Sequence, residues 1–350
     1  MTRAADPHDC PDAERRGHAP LRRSSGASLR LVPILAGLAG LAIAAGLVAH
    51  FGAGAVVRSL LAVGWLGFAA VCLIQLALIA IMGIAWRALL PNTCVWVPMW
   101  GRLVRDSVAE VLPLSQVGGY VAGARAVVFA GVSSTVAAAS TIVDVTLEFV
   151  AQLVYTAIAL SLLIDLRPDA DLALPAGIGL AVAAVLAALF LIVQWHGFGL
   201  FDRLARVLGR GWADRTASGA AALHLALADI YARRTGLLVS SALHLACWVA
   251  SALEVWLALR FAASPLSLAD VLVIEGLLYA IRTAAFAIPN AMGVQEAGYV
   301  LLGTIFGLTP EMALALSLLK RARDFAIGLP ALAVWQLVES NRFMRRIARR

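Results

Sequence analysis

Leu112-Pro113-Leu114-Ser115-Gln116-Val117-Gly118-Gly119 and, in the second half, Ile288-Pro289-Asn290-Ala291-Met292-Gly293-Val294-Gln295-Glu296 are polar, helix-breaking words in an otherwise apolar chain. Each is followed by the same landmarks. Pro289 follows Pro113 by 176 positions, and the same interval separates Gly307 from Gly131, Asp324 from Glu148 and Phe325 from Phe149. That interval is about half of the 350 residues. A duplication with a proline/glycine break and buried charges in each half is the pattern of a two-fold-related pathway or binding site in a membrane.

The surrounding composition fits that setting. Hydrophobic residues make up 61% and charged residues 14%, with a mean hydropathy of +0.87. A soluble domain carries about a quarter charged residues, so the chain reads as an all-α, polytopic integral membrane helix bundle. Its apolar runs are continuous rather than alternating, which excludes a membrane β-barrel. Cys10, Cys72, Cys94 and Cys247 show no CxxC or Cys/His spacing and read as small packing residues. The net charge of +7 sits mostly in tails and loops, so it speaks for topology and lipid-surface contact rather than nucleic acid.

Outward from the two breaks, the chain divides into a disordered cytoplasmic tail (1–30), a first membrane half (31–195), an amphipathic cytoplasmic connector (196–235), a second membrane half (236–340) and a basic cytoplasmic tail (341–350). Six full spans are expected near 31–49, 61–86, 134–164, 172–195, 235–261 and 311–338, each close to or above the roughly 20 residues a bilayer needs. The broken stretches 95–129 and 266–306 are either surface helix pairs or re-entrant hairpins, and the scheme closes with two re-entrant hairpins. Arginines place the amino tail, the 87–105 loop, the connector and the carboxyl tail in the cytoplasm, and Asp165, Asp169 and Asp171 place their loop outside. The two halves are then inverted repeats. Trp65, Trp86, Trp96, Trp100, Trp195 and Trp212 fall near span ends, as an aromatic belt does.

Charged residues at membrane depth must face protein or water. Asp144 and Glu148 share one helix face, and the duplicated positions hold Lys320 and Asp324 with Arg321 and Arg323 beside them. The acidic pair of one half is expected to approach the basic cluster of the other, either as a working site or as an ion-pair network that locks the bundle. Each break also creates a helix N-terminus able to hold an anion such as a lipid phosphate, with Gly118, Gly119 and Gly293 allowing close approach. Arg125 and Arg282 are candidates to add charge-assisted bonds; the alternative is that they snorkel or pair with Glu110 and Glu275. Glu296 is a counter-charge, a proton carrier or a helix-start residue. His50, His196, His224 and His244 are scattered and read as packed or interfacial, and Gly119 with Gly123 has helix-packing spacing. No GxSxG, Walker or Rossmann pattern is present, so no cofactor, metal or catalytic residue is expected.

These residues resemble the lysylphosphatidylglycerol synthase transmembrane-region family of flippase-like membrane domains. The resemblance rests on Pro113, Gly118, Arg125, Gly131 and Glu148, then on Pro289, Gly293, Glu296, Gly307 and Arg321, and covers about residues 31–340. The wording from Arg105 to Pro113 with Gln116 to Gly119 looks most like the subgroup associated with hopanoid biosynthesis in bacteria. The resemblance implies an inner-membrane protein that binds a hopanoid or anionic phospholipid and helps it between leaflets, alongside hopanoid-pathway membrane proteins. Arg125, Glu148, Arg282, Glu296 and Arg321 would serve the headgroup. Asn290, Ala291 and Gln295 depart from the family, which often has glycines and a basic residue there. The chain ends a dozen residues past its last expected span, so the synthases' aminoacyl transfer is not expected. A lipid-modifying enzyme using Glu148 or Glu296 as base, and a non-catalytic scaffold, are the alternatives.

Overall fold

The computed structural model describes residues 45–90, 92–112, 115–166, 210–285 and 288–347, with isolated positions at 42 and between 174 and 188. The expectations for the amino tail, most of the first span, Pro113 and most of the 172–195 span lie outside the described residues. The helices are α1 (Ala53–Leu89), α2 (Trp96–Val111), α3 (Ser115–Phe129), α4 (Ser134–Leu166), α5 (Arg210–Ala232), α6 (Arg234–Ala250), α7 (Ala252–Phe261), α8 (Leu268–Ala284), α9 (Val294–Ile305) and α10 (Pro310–Ile347), with a 3-10 turn at Pro289–Ala291. No strand occurs among the described residues.

Three described helices are long and apolar enough to cross a membrane: Ala53–Leu89, Ser134–Leu166 and Arg234–Phe261, the last combining α6 and α7. At 37 residues, α1 would run about 55 Å if straight, against a hydrocarbon core of about 30 Å. It is interrupted at Gly64, whose φ of 69° and ψ of 170° are not helical, which leaves 65–89 as an unbroken helical stretch long enough to cross. α10 is 38 residues long but carries Lys320, Arg321, Arg323 and Asp324 in its middle.

The duplication is visible in the turns. Ser134 opens α4 and Pro310 opens α10, 176 positions apart. Just before them, Gly131 (φ 103°) and Gly307 (φ 87°) adopt the left-handed conformation that glycine permits. Ser133 and Thr309 then cap the two helices, their hydroxyls accepting from the Val136 and Met312 amides at 3.3 Å each. Ahead of the breaks the interval is 172 rather than 176: Trp96 and Leu268 begin α2 and α8, and Leu89 and Phe261 end α1 and α7. Four more residues therefore separate the start of α8 from Pro289 than separate the start of α2 from Pro113, and the second break contains the 3-10 turn.

The halves interlace. α2 packs on α10 while α4 packs on α8, and α1 packs on α10 while α4 packs on α6. Gly276 lies against Ala159 and Tyr155 of α4, and Gly328 against Val111 and Ser107 of α2, with no room for a side chain at either crossing. Leu163, Leu259, Ile274, Leu278 and Leu316 belong to the largest apolar core. The exterior is apolar as well: Leu61, Trp65 and Leu66 are 69%, 86% and 74% exposed, whereas Asp144, Glu275 and Glu296 are fully buried. That inversion suits lipid as the outer solvent. Trp65 and Trp96 are exposed as a belt requires, but Trp86 is buried and donates to Ser140 Oγ at 3.1 Å, so it packs instead.

Candidate functional site: a charged cavity between the repeats

A cavity of about 470 Å³ lies where the two halves meet. Its apolar lining is Leu78, Ile79 and Met82 of α1 with Cys247 and Trp248 of α6. Its charged lining is Arg102, Arg105, Asp106 and Glu110 of α2, Glu148 of α4, Arg282 of α8 and Arg323 and Asp324 of α10. The positions 102, 105, 106 and 109 share one face of α2 by helical spacing. Along Gly101, Arg105 and Ala109 the helix is seated closely on α3, where Gly119 and Gly123 meet the backbone of Arg105 and Gly101. The helix-packing reading of Gly119 and Gly123 holds, whereas Gly118 and Gly119, expected at the helix break, lie inside α3.

Two guanidinium groups clamp the acidic pair of α4. Arg102 Nη2 donates to Glu148 Oε1 at 2.6 Å, Nη1 to Glu148 Oε2 at 3.1 Å, and Nε to Asp106 at 2.9 Å. Arg105 Nη1 donates to Asp144 at 2.8 Å and its Nη2 to Glu148. His244 Nε2 sits 3.0 Å from the other Asp144 oxygen. The expected approach of Asp144 and Glu148 to Lys320, Arg321 and Arg323 is thus corrected: their arginine partners come from α2 of the same half, and the second half contributes His244 to Asp144. The physical reason is reach, because α3 sets α2 against α4 within one repeat, whereas α10's cations meet other acids first. The arginines used as cytoplasmic loop markers, Arg102 and Arg105, are buried and cannot orient that loop.

The α10 cations are separately satisfied. Lys320 Nζ donates to Glu275 at 2.6 Å, and Glu275 also accepts from Tyr299. Arg323 binds Glu254 of α7 and, through Nη2 at 2.7 Å, its neighbour Asp324. Arg321 Nε donates to Glu296 Oε1 at 2.6 Å. Glu296 also accepts from the Gly293 amide at 2.7 Å and Ser317 at 3.1 Å. Of its three readings, the geometry carries two: Glu296 is the helix-start residue, its carboxylate occupying the N-terminus of α9 that was expected to hold a ligand anion, and it is the counter-charge of Arg321.

Among the sequence-predicted ligands, Glu148 and Arg282 line the cavity, and so do Arg323 and Asp324. Arg125, Glu296 and Arg321 do not. Arg125 points outward, 56% exposed, and pairs with Glu339. Arg282 instead pairs with Glu110, at 3.2 Å to each oxygen. Asn290, at the second break, donates to the Glu110 carbonyl at 2.7 Å. The breaks do meet the cavity, through Gln116, Ile288, Asn290 and Ala291. Sequence reasoning missed Asp106, Tyr120, Trp248, Tyr279 and Asn290 as lining groups; the i, i+3, i+4 spacing of Arg102, Arg105 and Asp106 was the readable signal. Among the described residues no three His, Cys, Asp or Glu side chains converge as a metal-ligand set.

The family model for the lysylphosphatidylglycerol synthase TM region matches residues 34–331. The chain belongs to that family. No curated protein and no solved structure matches it significantly. In this lysylphosphatidylglycerol synthase TM region the matched segment contains both repeats and the whole cavity between them. A membrane protein related to lipid handling is the coarse statement the family supports.

Proposed function

We propose that the protein is a lipid translocase or lipid-binding transporter of the bacterial inner membrane, linked to hopanoid or modified phospholipid handling. The observation that carries this reading is the mixed lining of the cavity: apolar side chains of α1 and α6 stand beside four arginines and four carboxylates. Such a space matches an amphiphile, which brings an acyl or polycyclic surface together with a polar headgroup. It opens between two repeats, where alternating-access transporters place their sites. In this reading the termini are cytoplasmic, six spans cross the bilayer, and α2–α3 and α8–α9 are re-entrant hairpins. Lengths of 16, 15, 17 and 12 residues favour that, since each helix is shorter than the roughly 20 residues a span needs. The enzyme alternative is less favoured because Glu148 and Glu296 are held by arginines rather than standing free as bases.

The test is leaflet transfer of fluorescent phospholipid and hopanoid analogues in proteoliposomes. Gln75 faces the cavity from α1, and Leu76, its neighbour, is 42% exposed on the outer surface. Transfer should occur with the natural protein, fall at least about ten-fold in Gln75→Trp because the bulk fills the cavity, and persist in Leu76→Trp. Absence of transfer by folded natural protein, with or without a proton gradient, would reject translocation.

A further inference from the structure

The arginines of the cavity are not equally committed. Arg102 and Arg323 each use all three guanidinium nitrogens on carboxylates. Arg105 uses two. Arg282 uses one: Nη2 alone reaches Glu110, at 3.2 Å to both oxygens, and 3.4 Å to Asn290 Oδ1. Its Nε and Nη1 have no protein partner among the described residues. The pair is also the most open, with Arg282 15% and Glu110 24% exposed, against 4–6% for Arg102, Arg105 and Arg323. A bidentate carboxylate clamp on two nitrogens is the strong arrangement, and this pair lacks it.

Its position gives the weakness a use. Glu110 and Arg282 stand in the last turns of α2 and α8, 172 positions apart, the interval of the repeat at that point. They are equivalent residues of the two halves meeting each other. Asn290 extends the link, its side chain donating to the Glu110 carbonyl at 2.7 Å. Arg282, Glu110 and Asn290 thus tie the first interrupted stretch to the second across the cavity.

The geometry points to an exchangeable latch: a phosphate group entering the cavity takes Arg282 from Glu110, and the two interrupted stretches part. A phosphate oxygen pair offers Arg282 the bidentate geometry that Glu110 does not, so the ligand has differential affinity for the open state, which is what shifts an equilibrium. This rests on the proposed lipid-handling role for its occupant, but its test is separate. The readout is hydrogen exchange at residues 288–293 in maltoside micelles, where the Ala291 amide donates to the Ile288 carbonyl at 3.0 Å and the Gly293 amide to Glu296 at 2.7 Å.

Dihexanoylphosphatidylglycerol should speed this exchange about ten-fold, and dioctanoylglycerol, which lacks phosphate, should leave it unchanged. Glu110→Gln should show the faster exchange without lipid. The swap of Glu110→Arg with Arg282→Glu re-forms the pair and should restore protection, which separates latch loss from misfolding. An inorganic phosphate arm identifies the source: opening by phosphate alone assigns the exchange to the anion itself, and opening by the lipid only adds the acyl chains as a requirement. Either supports the latch. Unchanged exchange with phospholipid and phosphate alike, or natural protection in a folded Glu110→Gln protein, would overturn it. Opening without leaflet transfer would leave the latch standing and sink the translocase reading.

Discussion

At the scale of single residues, the decisive quantity is the cost of burying charge. An ion held away from water costs several kcal/mol unless paired and fully hydrogen-bonded. Glu148 meets that condition through Arg102 and Arg105, and Arg321 with Ser317 and the Gly293 amide does the same for Glu296. Glu148→Leu would leave two guanidinium groups short of a partner. It should destabilise the protein by about 3–5 kcal/mol, read as thermal unfolding in detergent. Arg125→Leu removes an outward pair with Glu339 and an exposed contact over the Phe129 ring, and should cost no more than about 1 kcal/mol. Equal losses from the two would mean that the α2–α4 clamp is not what holds this region together. Which acid meets which base was not legible in the sequence. Asp144 and Glu148 were visible as a helical face, but their partners lie 39 to 46 positions away, on a helix whose seating depends on the glycines of α3.

At the scale of elements, the two breaks differ for a physical reason. The first spans 112–114, whereas the second spans 285–293 and turns through Asn290 (φ 51°) and Ala291 (φ 45°). A left-handed conformation costs an L-residue other than asparagine, aspartate or glycine roughly 1–2 kcal/mol. This accounts for glycines being common there in the resembling family, and it marks Ala291 as a strained substitute. Ala291→Gly should therefore keep or raise the melting temperature, while Ala291→Val should lower it by several degrees, about what 1–2 kcal/mol does to a domain of this size. Equal melting for both would contradict the strained turn. The breaks and the 176-residue spacing of Gly131 and Gly307 were legible because glycine and proline act locally. The change from 176 to 172 was not, since it needs the helix starts on either side.

At the scale of the whole molecule, two repeats exchange helices around one cavity, so neither half encloses the site alone. The membrane class, the duplication and the three apolar spans could be read from composition and periodicity. The partition of the predicted ligands could not: Glu148 and Arg282 reach the cavity, and Arg125, Glu296 and Arg321 serve packing or the periphery. The central claim is that the lipid headgroup enters the shared cavity. Its most direct test is cross-linking of a phospholipid carrying a photoactivatable headgroup, with the adducts mapped by mass spectrometry. The account predicts adducts on the cavity faces of α1, α2 and α8, at residues 75–82, 102–110 and 279–283, and at Asn290 of the second break, and their loss in Gln75→Trp. Adducts gathered around Arg125 and Glu339, unchanged by Gln75→Trp, would contradict it.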